Sequence, residues 1–172
     1  MLHTPDSPNG SSGGVRATVR TALGVDPGSR SSGFVVRRSG ELLASSVVER
    51  PKGQSLQTFG IRVSAEAQDL LSEWHPDVAA LEGLNVPNSH MGRGTAQVRS
   101  YGETNRIIGH LEALGWAWVV IAPKGNGSAA PSSYPDALYG EREHPANGGK
   151  GTGKLRHARS AWDVAGKAVA HT

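Results

Sequence analysis

The sequence predicts an α/β fold, a mixed five-stranded sheet flanked by helices. Three observations carry that prediction. The chain opens its ordered part with three short apolar runs separated by Gly and Ser. Two later apolar runs, 78–81 and 117–122, each follow a stretch with helical spacing. A last stretch with that spacing lies near the C-terminus.

Residues 1–17 are rich in Ser, Gly and Pro with little to bury, and read as a disordered leader before a domain spanning 18–172. The first run, Ala22 to Asp26, is stopped by Pro27-Gly28. Gly33 to Arg37 and Leu42 to Val48 follow, joined by polar Gly- and Ser-containing turns, as in an antiparallel meander. From Gln54 the period changes: Leu56, Phe59, Val63, Ala67, Leu70, Leu71 and Trp74 mark one face of a helix, and Pro76 ends it. Val78 to Leu81 is a fully apolar run of the kind a buried parallel strand shows, and it ends in Glu82. Thr95 to Leu114 is again helical, with Gly115 as its stop, and Ala117 to Ala122 is a second buried strand. Residues 124–152 form a long Gly- and Pro-rich loop without periodicity. Leu155, Ala158, Trp162, Ala165 and Val169 then give the stripe of a last helix.

A chain of 172 residues, 37% of them hydrophobic, has length for one domain with a real core. It has no cysteine, which excludes a disulfide framework, a thiolate zinc site and a cysteine nucleophile, and fits a reducing cytoplasm. No apolar run approaches the roughly 20 residues of a membrane span, and no secretory signal is visible. A soluble cytoplasmic protein with no membrane partner is therefore expected. The net charge of +3 is compatible with a nucleic-acid partner without identifying one.

The chemistry lies in three acids. Asp26 ends the first strand and Glu82 the fourth. A carboxylate in a buried sheet is costly unless paired, hydrogen-bonded or holding a cation. If these strands are neighbours, the two side chains converge at one sheet edge. Asp163 sits on the last helix, with Ser160 one turn earlier. Three clustered carboxylates need a cation, and hard oxygen ligands suit Mg²⁺ or Mn²⁺. Each acid also has an ordinary structural reading: a turn for Asp26, a helix cap or arginine pair for Glu82, an ion pair with Arg159 for Asp163. Their matched positions in one coherent element order favour the metal reading.

Four segments carry a resemblance. They are Leu23 to Arg30 with Ser32-Gly33; Val78 to Glu82; Gly102 to Ile108 with Gly115 and Ala122-Pro123; and Arg159 to Ala165. In these the chain resembles the RuvC-type Holliday junction resolvases of the ribonuclease H-like superfamily, over roughly residues 20–125 and 154–170. The resemblance implies a ribonuclease H-like fold and a homodimer that recognises branched DNA and cuts it with divalent metal, Mg²⁺ with Mn²⁺ able to substitute. It gives Asp26, Glu82 and Asp163 the catalytic and metal-holding roles. The family's last helix usually offers two acids; this one has Ser160 and then Asp163, so Ser160, or His157 one turn earlier, is a further candidate ligand. A solvent-facing His157 is the expectation, because on an ideal helix it lies about 120° around from Asp163.

The expected mechanism has Asp26 bridging two ions, with Glu82 and Asp163 completing their shells and water attacking the phosphodiester in line. Arg93, Arg99, Lys124, Lys150 and Lys154 are candidates for contacts to the DNA backbone, and the segment 85–94 for meeting the junction. Alternatives are a related nuclease for flaps or of terminase type, a junction-binding protein that cuts weakly, and an actin-like phosphate loop at Asp26-Pro27-Gly28-Ser29. The last needs two such domains, and this chain has length for one.

Overall fold

The computed structural model describes residues 20–84, 95–130, 133–140, 153 and 155–170. Along them run β1 (Thr21–Asp26), β2 (Ser31–Arg38), β3 (Glu41–Glu49), α1 (Leu56–Trp74), β4 (Val78–Glu82), α2 (Thr95–Glu112), β5 (Trp118–Ile121), a short 3-10 turn (Asp136–Leu138) and α3 (Arg156–Ala170). The expected leader, the segment 85–94 with Arg93, and Lys150 and Lys154 lie outside the described residues.

The strands form one sheet in the order β3-β2-β1-β4-β5. β1 to β3 are the antiparallel meander, and β4 and β5 add in parallel beyond β1. Alternation along β1 and β4 decides which helix covers which face. Leu23, Val25, Ala79 and Leu81 point to the side of α1 and α2, where they bury with Phe59, Val63, Ile107 and Leu111. Burying each large aliphatic or aromatic side chain contributes about 1.5–3 kcal/mol. Ala22, Val78 and Ala80 point the other way, against Val164, Ala165 and Ala168 of α3.

Helix α1 starts where Ser55 Oγ accepts the Thr58 N–H at 3.0 Å. It ends where His75 turns left-handed at φ 42° and gives its N–H to Leu71, with Pro76 barring continuation.

Small residues bring α3 unusually close to the sheet. A Cβ on Gly24 would stand 2.1 Å from the Ala161 carbonyl oxygen, and one on Gly33 would stand 2.2 Å from the His157 carbonyl carbon. Only glycine at these two strand positions lets the helix backbone lie directly on the sheet. That seat fixes both the height and the register of α3.

The 124–152 segment is more ordered than its composition predicts, where it is described. Tyr134 and Leu138 are buried with Val35, Ala158, Ala161 and Trp162, so this stretch covers the outer half of the α3 face. Tyr134, ahead of the 3-10 turn, and Leu138 at its end are apolar anchors too few to show as a period.

Candidate active site

Val25 pairs with Leu81, one residue short of the acids, so Asp26 and Glu82 end adjacent parallel strands side by side. Even-numbered residues of both strands face α3, which turns both carboxylates toward that helix rather than toward the α1–α2 core. Asp26 is only 8% exposed. Glu82 shares a hydrogen bond with it. Burial, and then Asp26's hydrogen bond and charge, push the Glu82 carboxyl up to about 7.

Helix α3 presents two side chains to this pair from one turn. His157 Nδ1 lies 2.8 Å from Asp26 Oδ2. The Ser160 hydroxyl donates to Glu82 Oε2 at 3.0 Å. From the other side Asn126 Nδ2 donates to Glu82 Oε1 at 2.9 Å and to the Ala122 carbonyl at 3.1 Å. Both Glu82 oxygens are thus held by neutral donors, which favour the ionised form against burial and Asp26.

Two expectations are corrected here. His157, with its side chain 33% exposed, turns its ring onto Asp26 rather than out into open solvent. Asp163 does not join the acids in the cleft. Its Oδ2 accepts the Gly127 N–H and the Tyr134 hydroxyl, each at 2.8 Å. The reason is helical geometry. Residues 157 and 160 share a face, whereas 163 is carried about 60° further round and a turn along. Burial, followed by effects that include the Asp163 charge, pushes the Tyr134 hydroxyl up to about 12. Among the described residues no three His, Asp or Glu groups converge as a ready metal cage.

The pair opens into a cleft of about 710 Å³ lined by Asp26, Glu82, His157, Ser160 and Asn126, with Arg30 and Arg156 at its rim. Through Ser29, Arg30 and Ser100 the cleft continues into a groove of about 1240 Å³ between the β3–α1 turn and α2. Among the described residues Arg30, Arg50, Lys52 and Arg99 line that groove against one carboxylate, Glu103, bonded to Arg50 at 3.2 Å and Arg99 at 3.0 Å. The Arg99 hydrogen bond holds Glu103 below the usual carboxylate range. Arg99 is thus in the groove, and Lys124 is exposed just after β5 without lining the cleft.

Sequence reasoning passed over Asn126, Tyr134, Lys167, Arg30 and Arg156. Asn126 had a visible signal, a polar residue between two glycines directly after a buried strand. The others had none beyond residue type. Among the described residues, no helix is long and apolar enough to cross a membrane.

No family model matches the chain. It is 33% identical over 127 residues to the crossover junction endodeoxyribonuclease RuvC of Actinobacillus succinogenes, covering 67% of this chain and 64% of that protein. It is 30% identical over 118 residues to the RuvC of Mannheimia succiniciproducens, covering 62% of this chain and 57% of that one. The chain therefore spans less than two thirds of the length of these relatives. Among solved structures it is similar to Thermus thermophilus RuvC in complex with a Holliday junction substrate, at TM-score 0.58 and 17% identity, covering 85% of this chain and 90% of that one. It is also similar to the yeast mitochondrial Holliday junction resolvase Ydc2, at TM-score 0.54 and 15% identity, covering 88% and 78%. The chain thus has a ribonuclease H-like α/β fold and is similar, in sequence and in architecture, to the RuvC-type Holliday junction resolvases.

Proposed function

We propose that this chain is a metal-dependent, structure-selective DNA endonuclease that resolves four-way junctions inside the cell. The observation that carries the reading is the Asp26–Glu82 pair, side by side at the ends of two parallel strands and open to one cleft. Two carboxyls sharing one hydrogen bond repel once both ionise, and a divalent cation relieves that repulsion. The donors fit Mg²⁺ or Mn²⁺: these are hard oxygens, and Mg²⁺ is commonly held by one or two carboxylates with water and substrate oxygens filling its shell. Asp26 and Glu82 would hold the ions, with His157 and Ser160 as the nearest further donors. When bound, a pair of such ions supplies an acidified water and neutralises charge on the leaving oxygen.

The chain's own side chains orient the site. His157 fixes the Asp26 carboxylate, and Ser160 and Asn126 fix the two oxygens of Glu82. Arg30 and Arg156 place positive charge where a phosphate enters the cleft. The basic groove beyond Arg30 carries one duplex arm by its phosphates, positioning it without reading sequence. Two cuts in one junction require two sites, hence a homodimer. The named activity of the sequence relatives and the junction bound to the T. thermophilus neighbour support this substrate.

One observation favours a second reading, a junction-binding protein that cuts weakly. Among the described residues the cleft holds two carboxylates, and Ser160 offers only a hydroxyl beside them.

The test incubates purified protein with a four-way junction, a splayed duplex and linear duplex in Mg²⁺, Mn²⁺ or EDTA, with Asp26→Asn alongside. Metal-dependent paired nicks in the junction alone, absent in the variant, are expected. Cutting of all three substrates would point to a nuclease of broader substrate, such as a flap or terminase-type enzyme. Tight junction binding without cutting would establish the second reading.

A further inference from the structure

Lys167 lies ten residues past His157 on α3, outside the cleft, and its ammonium reaches across to the turn after β5. There it donates to Asn126 Oδ1, in a short hydrogen bond, and to the Lys124 carbonyl at 3.4 Å. Both partners are neutral, and among the described residues no carboxylate pairs with it in an ion pair.

The contact reinforces the way Asn126 faces. The Asn126 side chain is enclosed, the residue being 8% exposed, and it has three neighbours at its amide: a carboxylate and a carbonyl at one end, an ammonium at the other. With the oxygen on Lys167, the NH₂ donates to both Glu82 and Ala122, and every group is satisfied. Flipped, the amide oxygen would meet two acceptors while the NH₂ met an ammonium, leaving three buried contacts of like polarity. The Lys167 donor at this end therefore reinforces the orientation, already favoured by the Glu82 and Ala122 oxygens, that gives Glu82 a donor.

We propose that Lys167 is a positioning residue for Glu82, acting through Asn126. It holds the amide so that its NH₂ faces Glu82 Oε1, while Ser160 holds Oε2, and the carboxylate is set in one orientation toward the cleft. The inference rests on the reading of Glu82 as a cation-holding group. Such outer partners of metal-holding carboxylates change metal affinity or activity by about 10- to 100-fold when removed.

The plain alternative is that Lys167 only staples the turn to α3. Lys167→Met and Lys167→Gln separate the two, because both remove the charge and keep most of the length, but only Gln retains a donor for Asn126. Two readouts are needed. In apo protein, hydrogen exchange of the Asn126 side-chain amide is followed by NMR. In parallel, Mn²⁺ binding to the same proteins is measured by calorimetry, with thermal unfolding as the control for folding. In Lys167→Met, fast exchange at Asn126 and a Mn²⁺ Kd weakened about tenfold are expected. Lys167→Gln and Lys167→Arg should recover most of both. Equal behaviour of Met and Gln, or Met indistinguishable from wild type, overturns the proposal. Slow wild-type exchange that Met abolishes, with no Mn²⁺ bound by any protein, would keep the orienting contact but sink both the cation-holding reading and the role built on it.

Discussion

His157 Nδ1 stands 2.8 Å from Asp26 Oδ2, joining the first strand of the sheet to its last helix at the mouth of the cleft. A carboxylate held by an imidazole nitrogen is fixed in direction. Asp26→Asn is expected to abolish metal-dependent cutting of a four-way junction. His157→Ala should slow it by about 10- to 100-fold with thermal stability nearly kept. Single-turnover cleavage measures both, and an unchanged rate in His157→Ala would remove the imidazole from the site.

The raised Glu82 carboxyl makes the metal-free protein pH-sensitive. Its folded pKa, about 7, lies above its ordinary 4.5, so the folded state binds the extra proton between those values. The stabilisation is complete below the ordinary value and is lost as pH rises through the folded one. In EDTA, thermal stability should therefore fall between pH 5 and 7.5 more steeply in wild type than in Glu82→Gln. Mn²⁺ affinity should rise over the same interval, because the cation displaces that proton. Parallel pH curves for the two proteins would show that Glu82 titrates in its ordinary range.

Asp163 is expected to act on stability more than on cutting. Tyr134→Phe removes a hydrogen bond to its carboxylate and should lower unfolding free energy by about 1.5–3 kcal/mol in urea denaturation. Asp163→Asn should retain far more junction cleavage than Asp26→Asn. Equal loss in the two would return Asp163 to the chemistry.

The basic groove makes a prediction about salt. Lys52 and Arg99 are exposed there, and removing two phosphate contacts should flatten the slope of log affinity against log salt by about 1.8. Fluorescence anisotropy of a labelled junction in EDTA reads this for Lys52→Gln/Arg99→Gln. Arg20→Gln/Arg106→Gln, which removes the same charge outside the groove, is the control. Coincident slopes for the two variants would remove the groove from the DNA path.

The seat of α3 predicts opposite effects for two glycines. Gly24→Ala drives a methyl into the Ala161 carbonyl and should cost about 3 kcal/mol. Gly102→Ala, on α2 with nothing within 4 Å of its would-be Cβ, should stabilise by about 0.5–1 kcal/mol. Chemical denaturation of both checks the pair.

The element order, the meander and the two strand-end acids were legible because strands impose a period of two and end where the apolar run ends. Asp26 and Glu82 stood out as charges at the end of otherwise apolar runs. The α3 register was not legible. A helix shows its stripe, here Ala158, Trp162 and Ala165, but not which turn lies over the strand ends. That depends on the glycines of β1 and β2, and it turned His157 rather than Asp163 toward Asp26. Asn126 and Tyr134 were hidden for another reason: their partners are 44 and 29 residues away, and the segment between β5 and α3 has no period to mark them.

Because α3 rests backbone to sheet through Gly24 and Gly33, it is its main chain that seats the helix, and its side chains are left to face the cleft. The main chain at His157, Ala158, Ala161 and Ala165 does the seating; the side chains of His157 and Ser160 overhang the acids. A hydroxyl at 160 can be exchanged for a carboxylate, or an imidazole at 157 for an amide, without re-laying the helix. Under the proposed function, cutting strength would therefore be adjustable one residue at a time on an unchanged sheet.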